Sequence, residues 1–171
     1  MHRNAIWRTA AAAALASVLF IVPSKSTAQS GGTVLKPADT EKLLADKVYY
    51  KGQSATTQIR NSGGIKFADG YYVLSTLVDT SGYSSDVQAK YQAYFITEVP
   101  IKIGGHDLAA GIYGLGFVGD KLIVTDVGAH DLFTVPSTTD SAMKRPMPLQ
   151  MVGTNGEFRL YALRHYVTIA R

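Results

Sequence analysis

Ile112-Tyr113-Gly114-Leu115-Gly116-Phe117-Val118-Gly119-Asp120-Lys121-Leu122-Ile123-Val124-Thr125-Asp126-Val127 decides the fold class. Two runs rich in β-branched and aromatic residues flank Gly119-Asp120. Both runs are too short for paired helices, and Gly-Asp supplies a tight two-residue turn. The pattern is a β-hairpin. If the turn sits at 119 and 120, position 111 faces 128 and position 109 faces 130 across the ladder.

The same grammar runs outward in both directions. Gly64-Ile65-Lys66-Phe67 and Tyr71 to Val78 flank Asp69-Gly70, which predicts a type I′ turn with both central residues at positive φ. Val87 to Thr97 alternates. Val87, Ala89, Tyr91, Ala93 and Phe95 fall on one side; Gln88, Lys90 and Gln92 fall on the other. This predicts one antiparallel strand with a wet face. Ile101 and Ile103 lead into Gly104-Gly105, another turn. Leu149 and Met151 meet Phe158 and Leu160 across Asn155-Gly156, and Val167 and Ile169 close the chain. Short strands at this spacing predict an all-β, antiparallel Greek-key β-sandwich, with a small β-barrel as the alternative. One short N-terminal helix is expected within Pro37 to Ala45, capped by Asp39 or Thr40 and packed through Leu43 and Leu44. Thr80 to Asp86 and Pro136 to Pro148 read as linkers, the second with one helical turn near Asp140 to Lys144. Leu108, Gly111 and Tyr113 have the spacing of a tyrosine corner, in which the phenol bonds to upstream backbone and pins a crossing between sheets.

The first 28 residues read as a secretory signal peptide. Arg3 and Arg8 precede an apolar run from Ala10 to Val22, Pro23 ends it, and Ser26-Thr27-Ala28 places a cut before Gln29. Thirteen residues rise about 20 Å as a helix, short of the roughly 30 Å of a bilayer core. The expected organisation is a signal peptide at 1–28, a flexible lead at 29–36 and a single β domain at 37–171. No membrane span is expected after cleavage.

Of 17 basic residues, Arg3, Arg8 and Lys25 leave with the leader, so 14 face 13 acids and the remaining charge is +1. The basic character belongs mostly to the export signal, and nucleic acid loses its electrostatic support as a partner. The chain has 46% hydrophobic and 18% charged residues, which is globular composition. It has no Cys, which excludes a disulfide scaffold, thiol chemistry and lipoprotein acylation. The single Trp, Trp7, lies in the leader, so a Trp sugar platform is excluded.

Chemistry-bearing residues are few. Gly104-Gly105-His106-Asp107-Leu108 is echoed by Gly128-Ala129-His130-Asp131-Leu132. The hairpin register places both His-Asp pairs near one end of a sheet. His106, Asp107, His130 and Asp131 are therefore the candidate ligands of a divalent metal. The competing reading is that Gly and Asp serve the backbone of two turns. Tyrosines crowd the first half, and Tyr72, Tyr83 and Tyr94 are the candidates for a contact face, set against ordinary core filling. Gly111 to Gly116 has the wrong order for a dinucleotide fingerprint, and its glycines read as sites of close backbone approach. No Gly-x-Ser-x-Gly elbow or His-Glu-x-x-His exists. Lys144-Arg145-Pro146-Met147-Pro148 reads as a solvated loop.

Lys102-Ile103-Gly104-Gly105-His106-Asp107-Leu108-Ala109-Ala110-Gly111-Ile112-Tyr113 resembles a motif of small secreted bacterial β-sandwich proteins of uncharacterised function. In those a Gly-Gly or Gly-Lys turn leads to Leu-Pro-Ala-Gly-x-Tyr; here Ala109 stands in place of Pro. Arg60 to Gly64 and Val78 to Tyr83 resemble exported proteins of soil bacteria. The resemblance implies a fold and a compartment, periplasmic or extracellular, and transfers no site residue.

Three functions follow as expectations. The first is a non-catalytic envelope or extracellular binding or structural module, monomeric or weakly oligomeric. It would meet an unknown protein or small-molecule partner through a tyrosine face or a strand edge. The second is a small-molecule or divalent-metal binder. The third is a hydrolase whose site assembles only in space. The motif inventory leans away from an enzyme and names no cofactor. An apolar barrel interior would favour the second reading; a filled sandwich with an unpaired edge would favour the first.

Overall fold

The computed structural model describes residues 31–154 and 157–171. The signal peptide expected at 1–28 and the Asn155-Gly156 turn lie outside the described residues.

The chain folds as two antiparallel sheets that bury one shared core, as expected of a sandwich. The first sheet runs β1 (Gly32–Leu35), β3 (Gln53–Phe67), β4 (Tyr72–Val78), β5 (Ala93–Thr97), β8 (Gly111–Val118), β9 (Lys121–Thr125) and β10 (Asp131–Pro136), with β2 (Lys47–Tyr50) also paired to β3. The second runs β12 (Gln150–Thr154), β13 (Glu157–Ala162), β14 (His165–Ala170), β6 (Ile101–Ile103) and β7 (His106–Leu108), with β11 (Thr138–Thr139) on β14. Phe95, Leu115, Leu122 and Val124 from the first sheet meet Ile103, Leu160, Val167 and Ile169 from the second. Neither sheet closes into a barrel.

The β8–β9 hairpin has the register read from the sequence, with Val118 opposite Lys121 and Leu115 opposite Val124. Gly119 has φ +61° and Asp120 does not share the left-handed region, so glycine occupies the position that a type II′ turn requires. β9 stops at Thr125. The chain then reverses through Asp126 to His130 into β10, where Asp131 faces Thr125. The extrapolated pairing of Ala109 with His130 therefore does not exist.

Other turns redistribute the expected roles. At Asp69-Gly70 only Gly70 has positive φ. Gly70 N donates to Phe67 O at 2.9 Å, and Phe67 N to Tyr71 O at 2.9 Å. This is a three-residue loop with a left-handed glycine, not the expected type I′ turn. The type I′ geometry appears at Gly104-Gly105, where φ is +56° and +83° and Ile103 pairs with His106.

Four further expectations are corrected. Residues 32–35 of the supposed flexible lead form β1, with Val34 opposite Ile65. The apolar Val34 and Leu35 are half-buried there, and their burial offsets the ordering entropy. The N-terminal helix, α1 (Pro37–Thr40), is shorter than Pro37 to Ala45 and starts after Lys36; the Asp39 carboxylate accepts from Lys36 N at 3.0 Å. The expected strand from Val87 is instead α2 (Ser85–Lys90), followed by β5. Val87 and Tyr91 share a helical face at i and i+4, and both belong to a second, tyrosine-rich core. Ser84 is the N-cap, Asp86 lies in the first turn and Lys90 in the last, a charge order that suits the helix dipole. Asp140 to Lys144 forms turns, not helix: Ala142 N donates to Asp140 Oδ1 at 3.0 Å.

The β6–β7 hairpin lies in the second sheet and its continuation, β8, in the first. The tyrosine corner pins this crossing. Tyr113 OH donates to Ala109 O at 3.1 Å, and Leu108 is buried beside it.

Candidate functional site

The tyrosine face is built first by glycine. In β8 a Cβ at Gly114 would lie 2.8 Å from the Tyr50 ring, and one at Gly116 would lie 2.4 Å from Ala89 O. Without side chains there, α2 and the aromatic rings lie directly on the sheet. Tyr50 and Tyr91 stack at 3.5 Å, with Tyr83 edge-on to Tyr50 at 6.1 Å and to Tyr91 at 5.8 Å. Tyr83 OH donates to Tyr50 O at 2.9 Å, and Tyr50 and Thr125 share a hydroxyl bond of 2.6 Å. Burial pushes the phenol pKa values of Tyr50, Tyr83, Tyr91 and Tyr94 up, because it penalises the phenolate.

Tyr83 and Tyr94, expected on a contact face, are each only 8% exposed. They form this second core because α2 and β2 cover that side of the sheet. Tyr72 is half-buried beneath the Lys66 ammonium, 5.7 Å from its ring centroid. Along β2, Tyr49 and Tyr50 point to opposite faces: Tyr49 is 62% exposed and Tyr50 1%.

The His-Asp echo does not converge. His106 sits at the start of β7 with its ring stacked on Phe133 of β10 at 3.8 Å. Its Nδ1 lies 3.0 Å from Asp107 O. Asp107 pairs with Lys102, which holds its carboxyl below the usual range. His130 Nδ1 lies 2.9 Å from Asp126 Oδ2, and Asp126 also accepts from Gly128 N and His130 N. Those bonds lower the Asp126 pKa. Asp131 pairs with Lys90 at 2.8 Å. Each candidate ligand is thus engaged with its own neighbour. Among the described residues no group of three His, Cys, Asp or Glu side chains is arranged to hold a metal ion.

β1 and β10 end the first sheet and β12 and β7 the second, so each keeps one backbone edge without a strand partner among the described residues, although side chains bridge the flanks. On one flank the His106–Phe133 stack joins β7 to β10, and Val135 lies against Gly104. On the other, β12 rides over β3 so closely that a Cβ at Gly63 would lie 2.8 Å from Met151 N.

One end of the sandwich is open. A groove of about 560 Å³ lies between the end of β4, the β8–β9 hairpin and the β13–β14 hairpin. Its apolar wall comes from Leu77, Val78, Phe117, Pro148, Ala162 and Leu163. Leu163 is 55% exposed, occupies the hairpin tip at φ +55°, and donates its N–H to Met147 O at 2.9 Å. An apolar side chain at an exposed, strained tip is an unusual choice for a turn.

Polar groups in the groove fall into two sets. The Gln92 amide is consumed internally. Its Oε1 accepts from Phe117 N at 3.1 Å, and its Nε2 donates to Phe117 O at 3.0 Å and Ala89 O at 3.1 Å. Gln92 thereby prolongs the β5–β8 ladder by one side chain. His165 differs. Its Nδ1 lies 3.5 Å from Ser137 Oγ and 3.4 Å from Thr139 Oγ1, and among the described residues its Nε2 has no protein partner. The sequence reading singled out neither Gln92 nor His165. A His in an alternating strand carries no motif, and only the meeting of two hairpin tips gives it a wall to stand in.

No helix among the described residues is long and apolar enough to cross a membrane. No protein-family model, curated protein or solved structure matches the chain.

Proposed function

We propose that this protein is an exported binding module that holds a small, mainly apolar molecule in the groove at the open end of its sandwich. Export rests on the leader, with Arg3 and Arg8 before the apolar run and Ser26 to Ala28 at its end. Binding rests on one observation: a concave site of about 560 Å³ with mainly apolar walls and His165 in its lining. Small-molecule sites have this size and this ratio of apolar wall to polar anchor. Tyr50, Tyr83, Tyr91 and Tyr94 fill a core, and the His-Asp pairs bond locally. His165 is the one titratable side chain on the groove wall among the described residues, which suits recognition better than acid–base chemistry.

Calorimetry with a neutral aliphatic probe, octanol, tests this reading. Binding is expected to be saturable at one site, with negative heat-capacity change from apolar burial. Ala162→Trp fills the groove and is expected to abolish binding at unchanged melting temperature. Unchanged affinity in Ala162→Trp, or no binding by the unmodified protein, would refute the groove as the site.

A further inference from the structure

We infer that Leu163 is the side chain by which the groove grips its occupant, an uncharged molecule met through apolar contact. This deepens, and rests on, the proposal that the groove binds an apolar molecule. The β13–β14 hairpin tip carries it. Ala162 pairs with His165, so Leu163 and Arg164 form a two-residue turn. Leu163 has φ +55°, and Arg164 does not share the left-handed region. Glycine is the residue that tight hairpin turns favour at such a position, and a Cβ there costs free energy. The same fold uses glycine at positive φ in Gly104, Gly105 and Gly119. Among the described residues, Lys51, Ala129 and Leu163 are the non-glycine residues with positive φ. Lys51 is exposed and charged, and Ala129 is small. Leu163 alone puts a large apolar side chain in strained backbone.

The fold does not use that side chain. Leu163 is 55% exposed and belongs to neither apolar core. Other groups hold the tip. Leu163 N–H donates to Met147 O at 2.9 Å, Asp140 N to Arg164 O at 2.8 Å, and Arg164 Nη1 to Ser141 O at 3.1 Å. None of these bonds involves the Leu163 side chain, which instead lines the groove with Leu77, Phe117 and Ala162. An apolar occupant would cover it and return the burial that the turn forgoes. The groove lining contains no carboxylate, ammonium or guanidinium side chain; its polar side chains are Thr80, Gln92 and His165. A charged occupant would lose hydration there without a fixed counter-charge in the lining.

The test titrates octanol by calorimetry into the unmodified protein and two variants. Leu163→Asn removes the apolar side chain and installs a residue that accepts left-handed backbone. It should bind octanol roughly tenfold more weakly, the scale of one lost aliphatic contact. Its melting temperature without ligand should stay level or rise. Leu163→Met keeps the apolar reach and should hold octanol affinity within about threefold. The Leu163 methyl resonances of the unmodified protein should shift during the titration, and octanoate, with the same chain, should bind more weakly than octanol. Full octanol affinity in Leu163→Asn, with binding lost in Ala162→Trp, would overturn this inference and leave the groove reading standing. A lower melting temperature in Leu163→Asn would also overturn it, since the side chain would then be a contact of the fold. Tighter binding of octanoate than of octanol would overturn the uncharged occupant. Absence of octanol binding by the unmodified protein would overturn both readings.

Discussion

Replacing Tyr91 with Phe is expected to stabilise the protein. Tyr91 is fully buried, and its hydroxyl is the one buried side-chain polar atom without a hydrogen-bond partner among the described residues. A buried hydroxyl left without a partner costs about 1–3 kcal/mol. Deleting it forfeits a few dispersion contacts and leaves a void smaller than a methyl group, which costs about 1 kcal/mol or less. The stack on Tyr50 at 3.5 Å and the edge contact with Tyr83 at 5.8 Å need only the ring, so Phe keeps them. The net gain is about 1 kcal/mol, or a rise of about 4 °C in melting temperature for a domain of this size. Tyr50→Phe is the control with the opposite sign. Its hydroxyl is bonded to Thr125 at 2.6 Å, and losing it leaves Thr125 short of one partner at a cost of about 1–2 kcal/mol. Urea unfolding followed by far-ultraviolet circular dichroism measures both, and an unchanged m-value shows that the compared states are the same. A loss of 1 kcal/mol or more in Tyr91→Phe would refute the reasoning, because the hydroxyl would then have a partner, such as a buried water.

Three more outcomes follow from named contacts. Tyr113→Phe removes the bond to Ala109 O and should cost about 1 kcal/mol in the same unfolding assay; no loss would show that the corner bond does not hold the crossing. Gly116→Ala should cost about 1–3 kcal/mol, because its Cβ would press backbone at Ala89 and lift α2; unaltered stability would mean that α2 moves freely from β8. The Asp107 pKa is lowered from 3.8 chiefly by its hydrogen bond from Lys102, so the pair stabilises the fold above the ordinary aspartate range and loses that effect as pH falls through the lowered folded value. Carboxyl chemical shifts should show Lys102→Met returning Asp107 towards 3.8, and no movement would remove Lys102 as the cause.

Hairpin grammar was legible where the turn itself forces the register. Gly119-Asp120 set the β8–β9 pairs, and Leu108, Gly111 and Tyr113 announced the corner bond. It failed where two periodicities coincide. Val87, Ala89 and Tyr91 alternate as a strand would, yet Val87 and Tyr91 also satisfy a helix, and the glycines of β8 opened the space that made the helix the better solution. The Lys51-Gly52 turn, with φ +49° and +83°, joins β2 to β3 and went unread because Lys rarely occupies the left-handed region. The His-Asp echo misled because Gly and Asp recur in turns for backbone reasons.

The sequence by itself determined what depends on neighbours along the chain: an all-β antiparallel fold, the register of its tightest hairpin, the corner spacing at Tyr113 and the absence of thiol chemistry; two open sheets packed face to face decided for a sandwich against a barrel. Tertiary structure decided what depends on residues far apart in the chain. It turned the tyrosines from a face into a core by laying α2 over Gly114 and Gly116. It kept the two His-Asp pairs from forming one ligand set by bonding Asp107 to Lys102, Asp131 to Lys90 and His130 to Asp126. It made a groove from Leu77, Phe117, Leu163 and His165, four residues spread over 89 positions. Local pattern fixes which face a side chain takes; only the packing of one sheet on the other fixes what that face meets.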